Sequence, residues 1–394
     1  MKLDVSNLRY LSSDEWRLLS TVEHLSKHGE IHDTPKIAKA SRIKSTSWIE
    51  DYLPKLCQLK LLNYSHDPRG YKLSYGGLDY LALHAHEKSN LVYGVGNVIG
   101  KGKESDIIAV SDKEGKQMVL KLHRLGRISF RDVKQKRNYV RRGQYAQSWM
   151  HLSCLAAQKE FIFMEKLREV GFPVPIPHAR NRHSVLMEMI DGYPLRQLVE
   201  LAEPAELYAE LMELIMRLAQ HGLIHGDFNE FNIMIVEQKI VSDKGKGKED
   251  QEEIKLVPIV IDFPQMVSML HSDAQYYFER DVECIRKYFN KRYGFTSDDP
   301  GPFFKDAKNS MGRDGARLLD VEAFASGFSR KEARELEEYI KRIETDANGA
   351  DSMQESDGDE GTELEENEGL EEEKRHDIRA GISSAETEQQ PVQQ

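Results

Sequence analysis

Residues 225–232 read HGDFNEFN and follow a periodic apolar stretch, residues 206–220, that predicts an amphipathic helix. Asp227 and Asn232 stand five residues apart in this motif, just before a short apolar run that predicts a strand. A polar turn between a helix and a strand could carry the same residues. The spacing also suits phosphoryl transfer, in which a carboxylate orients or deprotonates the acceptor and an amide oxygen holds Mg²⁺. The motif therefore predicts Asp227 as a catalytic residue and Asn232 as a metal ligand.

A second acidic motif, Asp262-Phe263-Pro264, follows the apolar run LVPIVI (256–261), which predicts a buried strand. Protein kinases carry H-x-D-x-x-x-x-N in the catalytic loop and D-F-G at the end of a later strand. The Asp of D-F-G chelates the Mg²⁺ that bridges the nucleotide phosphates. The two motifs occur here in that order, with their Asp residues 35 positions apart. We therefore predict Asp262 as a catalytic residue and metal ligand, and His225 as a structural member of the catalytic loop.

A glycine-rich loop precedes both motifs and lies between two predicted strands. Glycines let the backbone approach phosphate oxygens, while a serine hydroxyl adds a donor and lysines add positive charge. The loop lacks the third glycine of G-x-G-x-x-G, and an ordinary β-hairpin is the alternative interpretation. The residues predicted to contact the phosphates are Gly100, Lys101, Gly102, Lys103, Glu104 and Ser105.

A lysine on the next predicted strand, Lys121, lies 19 residues after Gly102. In kinases such a lysine contacts the α- and β-phosphates and pairs with an acid on the following helix. Residues 150–169 predict that helix. We expect Glu160 to be the partner rather than its competitor Glu165, because Glu160 lies nearer the start of the helix.

The run VLMEM (185–189) predicts a strand that ends shortly before Gly192. In a kinase this segment is the hinge, where adenine bonds to backbone groups. Met187 would border the nucleotide, and the Glu188 carbonyl and the Ile190 N–H would meet adenine. A buried edge strand explains the same residues equally well.

The order of predicted elements divides the chain into domains. Residues 1–90 predict three helices, a two-stranded hairpin and a closing helix, which is the order of a winged helix. Residues 91–190 are rich in predicted strands, and residues 191–330 are rich in helices. This α+β pattern predicts a bilobal kinase-like domain. No A-P-E triplet follows Asp262, so the activation segment and peptide-docking helices of larger kinases are expected to be missing.

Charge separates a folded body from a tail. The 394-residue chain carries a formal charge of −11, but residues 344–373 hold 14 acidic residues and no Lys or Arg, which leaves +3 on the rest. Residues 331–394 therefore predict a helix followed by a disordered acidic tail. Residues 237–255 predict a charged insertion between two short strands, at the mobile tip of a hairpin.

A basic segment follows the Lys121 strand. Between Lys121 and Arg142 there are nine Lys or Arg and one Asp, within a flexible loop predicted at 123–150. Such density favours contact with nucleic-acid phosphates, although a solvated loop is a common outcome for a run of charge. In the winged helix, residues 45–59 would form the recognition helix and Arg69 the wing tip. Their mixed charges favour rRNA or a protein partner over sequence-specific DNA.

Composition excludes several classes of protein. No apolar run approaches the roughly 18 residues needed to cross a bilayer, so no membrane partner is expected. The start, MKLDVSNLRY, lacks the apolar core of a signal peptide. Cys57, Cys154 and Cys284 are odd in number and far apart, which fits neither a disulfide framework nor a zinc site. We expect a soluble protein of a reducing compartment.

Together the motifs resemble those of the Rio-type atypical protein kinases, and specifically the subfamily with an N-terminal winged helix. The resemblance extends over residues 1–330. It is carried by GKGKES (100–105), KLHRLGRISFR (121–131), NRHSVLMEMIDGYPL (181–195), HGDFNEFN (225–232) and IDFPQMVS (261–268).

The resemblance implies ATP and Mg²⁺ as cofactors and an atypical serine/threonine kinase that acts mainly as an ATPase switch, through an aspartyl-phosphate at Asp262. It also implies a role in maturation of the small (40S) ribosomal subunit, with the rRNA and proteins of the precursor particle as partners. The expected location is the cytoplasm, with shuttling through the nucleus left open. The alternatives are a conventional protein kinase with a substrate in trans, a small-molecule phosphotransferase and a nucleotide-binding scaffold for rRNA.

Overall fold

The computed structural model describes residues 5–125, 149–241 and 252–351. Most of the basic loop predicted at 123–150 lies outside these residues, as do the centre of the charged insertion and the tail after residue 351. Within the described ranges, no helix combines the length and the apolar character that crossing a membrane requires.

The N-terminal domain contains the predicted helices, hairpin and closing helix in the predicted order. Ser12 caps the first helix, and the Glu15 carboxylate accepts the Ser12 N–H in return, which completes a capping box. The hairpin turns at residues 67–68, so that Arg69, predicted to form the wing tip, already pairs with His66. The elements are α1 (Ser13–Leu25), α2 (Thr34–Ser41), α3 (Thr46–Gln58), β1 (Leu62–His66), β2 (Arg69–Leu73) and α4 (Tyr75–Lys88).

A five-stranded antiparallel sheet follows, in the order β3-β4-β5-β7-β6. Side chains alternate between its two faces. Val119 and Met187 belong to the cluster that includes the helix at 149–169, whereas Leu120 and Leu186 pack with Leu83 of α4. The N-terminal domain thus packs on one face of the sheet. The elements are β3 (Gly94–Lys101), β4 (Ser105–Ser111), β5 (Gln117–His123), α5 (Trp149–Glu169), β6 (Pro177–Asn181) and β7 (Ser184–Glu188).

The third part of the chain is mainly helical and contains two small sheets, one in the order β11-β10-β8 and one pairing β12 with β9. Only residues 263–273 separate Asp262 from the next helix, which agrees with the prediction that an activation segment is missing. The elements are β8 (Tyr193–Pro194), α6 (Pro204–Gln220), β9 (Leu223–Ile224), β10 (Ile233–Val241), β11 (Glu252–Val260), β12 (Val267–Ser268), α7 (Ala274–Tyr293), α8 (Phe304–Ser310), α9 (Leu319–Ala325) and α10 (Arg330–Asp351).

Two predictions from composition are wrong in their boundaries. The insertion predicted at 237–255 is partly strand, because β10 and β11 stay paired as far as Val241 and Glu252. Charged side chains are compatible with a strand ribbon that faces solvent, and composition alone does not exclude one. Residues 344–351, which composition assigns to the tail, are likewise helical, since α10 continues to Asp351. Once a helix has nucleated, adding each further residue costs little.

Candidate active site

The loop at residues 225–232 joins β9 to β10 and is held by a carboxylate on α7. Asp281 accepts the Gly226 N–H at 2.8 Å and the Phe228 N–H at 3.0 Å. Its side chain is fully buried, and burial raises the pKa of Asp281. Arg280, its neighbour on the helix, donates to the Gly226 carbonyl. Asp281 was not predicted from the sequence, although its place on the apolar stripe of α7, near Phe278, is a signal of burial.

Glycine is required at position 226. Its backbone has a φ of +79°, and a Cβ there would lie 2.7 Å from the Gln265 carbonyl oxygen. The left-handed conformation and the close approach both exclude a larger residue. The loop between β9 and β10 is therefore fixed against the segment that follows Asp262.

Asp227 and Asn232, predicted five residues apart in one site, are in direct contact. Asn232 Nδ2 donates to Asp227 Oδ2 and to the Asp227 carbonyl, both at 2.9 Å, and Asn229 Nδ2 donates to Asp227 Oδ1 at 2.7 Å. Burial raises the pKa of Asp227, and the negative charge of Asp262 adds to the increase, which these hydrogen bonds partly oppose. Because Asn232 uses its amide nitrogen for Asp227, its Oδ1 atom remains available as a ligand.

Asp262 follows β11 and has a left-handed backbone, with a φ of +71°. Such a conformation is uncommon for a residue with a side chain and persists only where neighbours hold it. The neighbours here are the catalytic loop: His225 Nε2 donates to the Ile261 carbonyl at 3.1 Å, and Ile261 N donates to the Asn232 carbonyl at 3.0 Å. His225 is thus a structural member of the loop, as predicted, and joins the two acidic motifs.

Lys121 lies between two carboxylates. Its Nζ donates to Glu160 Oε1 at 2.6 Å and to Asp262 Oδ1 at 2.7 Å. The Lys121–Glu160 pair is the one expected from the sequence, and the competitor Glu165 is exposed on the same helix. His123, which was not predicted to belong to the site, donates from Nε2 to Glu160 Oε2 at 2.6 Å.

The charges around Lys121 shift the pKa values of its partners. Burial alone would raise the pKa of Asp262, but the positive charge of Lys121 and its hydrogen bond lower it overall. Burial likewise opposes ionisation of Glu160, yet Lys121 and His123 hold its pKa below the usual value. Both carboxylates are therefore ionised at neutral pH, and they raise the pKa of Lys121 above its ordinary value against the effect of burial.

The predicted phosphate loop lies beside these charges. Gly100 and Lys101 end β3, Ser105 begins β4, and Gly102 N donates to the Ser105 carbonyl at 2.8 Å to close the turn. Lys101 and Lys103 are exposed. A cavity of about 30 Å³ brings together Glu104, Ser105, Lys121 and Asp262 with His123, Leu125, Pro264, Gln265, Leu336 and Ile340.

The predicted hinge residues lie further along the same sheet. Met187 pairs with Val119, two residues before Lys121, and directly paired residues share a face of an antiparallel sheet. Glu188 N donates to the Ile176 carbonyl at 2.9 Å, and its carboxylate accepts the Ile176 N–H at 3.0 Å. Ile190 is half-buried. The structure thus places Met187, Glu188 and Ile190 outside the 30 Å³ cavity. Met187 shares the face of the sheet that carries Lys121, whereas Glu188 pairs with Met118 and Ile190 follows the end of the strand.

The oxygen atoms of Asn232 and Asp262 suit a divalent cation such as Mg²⁺, with a bound nucleotide supplying further oxygen ligands. Among the residues that the structure describes, no group of three or more His, Cys, Asp or Glu could hold a metal. Mg²⁺ is usually bound by one or two carboxylates together with substrate phosphates rather than by a cage of protein ligands. Asp262 supplies a carboxylate whose side chain is 39% exposed, and Asn232 supplies its Oδ1.

Comparison with known proteins gives concordant matches. A model of the RIO domain matches residues 106–242 and 253–300, and a model of the Rio2 N-terminal region matches residues 8–89. The serine/threonine-protein kinase rio2 of Schizosaccharomyces pombe is 46% identical over 343 residues, which are 86% of this chain and 92% of that protein. The RIO2 kinase of Saccharomyces cerevisiae is 44% identical over 344 residues, which are 84% of this chain and 78% of that protein.

A solved structure is also similar. The crystal structure of a Rio2 kinase–ADP/Mg²⁺–phosphoaspartate complex from Chaetomium thermophilum has 51% sequence identity and a TM-score of 0.78, and the match covers 88% of this chain and 100% of that one. These matches confirm the resemblance drawn from the motifs and the predicted fold class, a winged helix followed by a kinase-like domain.

Proposed function

Because the chain belongs to the Rio2 family of serine/threonine-protein kinases, we propose that it hydrolyses ATP through transient phosphorylation of Asp262. The predicted enzyme class, an ATP-dependent kinase, is confirmed by this membership. One observation carries the finer proposal: Asp262 is ionised, partly exposed and held 2.7 Å from Lys121 at the end of β11. The similar Chaetomium thermophilum structure contains ADP, Mg²⁺ and a phosphoaspartate.

The proposed reaction has two steps. A carboxylate oxygen of Asp262 attacks the γ-phosphorus of ATP, a new O–P bond forms, and the bond between that phosphorus and the β,γ-bridging oxygen breaks to release ADP. Water then attacks the acyl phosphate, which restores the carboxylate and gives inorganic phosphate. Asp227, with its raised pKa, is suited to accept the proton of that water.

Asn232 and Asp262 are the residues that would hold Mg²⁺. The ion, when bound, neutralises charge on the transferred phosphoryl group. Lys121 supplies a fixed positive charge at the same place, and Glu160 holds it there. Glu104 and Ser105 line the side of the site where we place the phosphates, and residues 100–103 lead into it from β3.

The short connection after Asp262 favours self-phosphorylation over a peptide substrate. Residues 263–273 contain the brief β12 strand, which pairs with β9, and α7 begins at Ala274. A segment that docks a peptide would need more chain at this point. A conventional kinase acting in trans is the alternative.

The experiment measures ADP release from ATP and Mg²⁺ and the chemical stability of phosphate on the protein. We expect turnover, with a phosphoprotein that is sensitive to base and hydroxylamine, as acyl phosphates are. Asp262→Asn should abolish both signals, whereas Asp314→Asn, an exposed acid elsewhere on the surface, should leave them unchanged. Base-sensitive phosphate that survives Asp262→Asn would contradict the assignment, and acid-stable phosphoserine would favour the alternative.

We further propose that the precursor small ribosomal subunit is the partner and that the protein acts on it in the cytoplasm. The support is the surface of the N-terminal domain, where Trp48 on α3 is 53% exposed and Tyr64 on β1 is 44% exposed. Exposed aromatic rings can stack on unpaired RNA bases. Co-sedimentation with precursor subunits should fall for Trp48→Ala and Tyr64→Ala and persist for Tyr10→Ala, an exposed tyrosine outside both elements. Equal retention of all three variants would contradict this surface.

A further inference from the structure

Arg124 contacts the end of the predicted phosphate loop that leads into β4. It follows β5 directly, three positions after Lys121, and is 5% exposed. Its backbone N–H donates to the Glu104 carbonyl at 2.5 Å, and its side-chain Nε donates to Asp106 Oδ2 at 3.0 Å. Glu104 and Asp106 flank Ser105, so the position of Arg124 determines the path of the backbone there.

The guanidinium of Arg124 is held from the N-terminal domain. Asp79 on α4 accepts from Arg124 Nη1 at 2.5 Å and from Nη2 at 2.8 Å, in a two-pronged pair that fixes the plane of the group. Asp79 is 3% exposed, and His183 Nε2 donates to its Oδ1 at 2.8 Å. Burial opposes ionisation of this carboxyl, but the charge of Arg124 lowers the pKa of Asp79 overall, which keeps the pair ionised.

A second side chain from the same helix supports Arg124. The Tyr75 ring lies 5.6 Å from the guanidinium carbon, and its hydroxyl donates to the Leu125 carbonyl at 3.5 Å. Helix α4 therefore contacts the chain immediately after β5 twice, at the side chain of Arg124 and at the backbone carbonyl of Leu125. Arg124 is thus bound to the N-terminal domain by an ion pair and an aromatic contact rather than by apolar packing alone.

We propose that Asp79 is a positioning residue for nucleotide binding: through Arg124 it lets the N-terminal domain fix the backbone of residues 104–106 and thereby set the affinity for nucleotide. The inference rests on the proposed assignment of residues 100–105 to the phosphates. Because coupling between two sites is reciprocal, a partner that moves α4 would change nucleotide affinity, and nucleotide would change affinity for that partner.

The chain offers a matched control for the contact between domains. Arg182 donates to Glu23 of α1 through Nε at 2.5 Å and through Nη2 at 2.8 Å, in the same two-pronged arrangement. This pair also joins the N-terminal domain to the five-stranded sheet. Arg182 lies in the turn between β6 and β7, however, and its other hydrogen bonds go to Leu81 and Asn181 rather than to the phosphate loop.

The experiment compares Mg²⁺–ADP affinity by calorimetry for the wild type, Asp79→Asn and Glu23→Gln, with thermal unfolding of each full-length protein recorded in parallel. We expect Asp79→Asn to weaken ADP binding about tenfold, within the usual range for coupled sites, and Glu23→Gln to change it less than about twofold. KM for ATP should rise with the ADP dissociation constant, while kcat at saturating ATP changes less than about threefold, because the loop contacts ground state and transition state alike.

Unchanged ADP affinity in Asp79→Asn would overturn the proposal, as would an equal loss in Glu23→Gln. If Asp79→Asn does not fold, Arg124→Lys takes its place, since it keeps the charge and the N–H to Glu104 but loses the fork, and the same two outcomes decide. ADP binding requires no phosphoryl transfer. Failure here is therefore distinct from failure of the Asp262 mechanism, which the phosphate-stability assay tests.

Discussion

Replacing Glu160 by Gln removes one charge from the centre of the site and keeps the shape of the side chain. Glu160 is 1% exposed and accepts hydrogen bonds from Lys121 and His123, each at 2.6 Å. In the variant, the Lys121 ammonium would face the single charge of Asp262 rather than two charges. We expect Glu160→Gln to lower the free energy of unfolding and to reduce ATP turnover.

The magnitude follows from these two contacts. A hydrogen bond to a charged group contributes about 1.5–3 kcal/mol, and Gln keeps one oxygen that can accept from Lys121. We therefore expect a loss of about 2–3 kcal/mol at neutral pH, roughly one such bond rather than two. Because the pKa of Glu160 is lowered in the folded state, its ionised form stabilises the fold above the ordinary value of 4.5. That contribution disappears as the pH falls through the lowered value, so the difference from the wild type should shrink in acid.

The assay is urea unfolding of the full-length protein at pH 7 and in steps towards acid. Glu165→Gln is the matched control, because Glu165 is exposed on the same helix and surface substitutions usually change stability by less than about 0.5 kcal/mol. Equal midpoints for the two variants at pH 7, or a difference that grows towards acid, would refute the role given to Glu160.

Three further predictions concern one buried histidine and the catalytic loop. Burial lowers the pKa of His86 to about 4. As the pH drops from 6.5 towards 4, this residue should therefore lower the stability of the wild type by about 1.4 kcal/mol per pH unit. Thermal unfolding of His86→Gln should show a shallower pH dependence, and an unchanged slope would contradict the prediction. Asp281→Asn leaves one oxygen for the two N–H donors of Gly226 and Phe228. We expect kcat to fall about 100-fold in steady-state assays, and the free energy of unfolding in urea to fall by about 1.5–3 kcal/mol, the value of one hydrogen bond to a charged group. Gly226→Ala should destabilise by more than about 2 kcal/mol in urea, whereas Gly115→Ala, with a φ of +87° and open space around it, should cost only about 1 kcal/mol.

Local motifs were sufficient to predict which side chains meet in the candidate site, because the spacing within a motif reflects the backbone that carries it. Asp227 and Asn232 meet in the structure since five residues of loop return the chain to the start of β10. The choice of Glu160 over Glu165 also agrees with the structure, because only Glu160 lies on the buried face of α5. Residues joined by contacts distant in sequence leave no such trace.

Asp281 and Asp79 illustrate this limit. Asp281 contacts a loop more than 50 residues earlier, and Asp79 contacts Arg124 from a different domain, 45 residues away. An acid in a helix is normally a solvated residue. The apolar stripe of α7 marks Asp281 as buried, but sequence spacing does not indicate which partner either carboxylate contacts. The boundary errors at 237–255 and 344 have a related cause. Charge and polarity describe solvent exposure, whereas strand pairing and helix continuation depend on backbone hydrogen bonds that polar residues also form.

The two carboxylates proposed to be catalytic, Asp227 and Asp262, owe their different pKa shifts largely to Lys121. Lys121 bonds Asp262 directly and lowers its pKa, whereas Asp227 receives mainly amide donors and has its pKa raised by burial and by the charge of Asp262. Neighbouring carboxylates whose environments separate their pKa values in this way can take different roles. Asp262 remains an anion that can attack phosphorus or bind a cation, and Asp227 becomes the stronger base. Glu160 fixes Lys121 beside Asp262, so the proposed division of roles depends on a helix that supplies no reacting atom. In the proposed mechanism the buried pair between Lys121 and Glu160 therefore serves the chemistry as well as the fold.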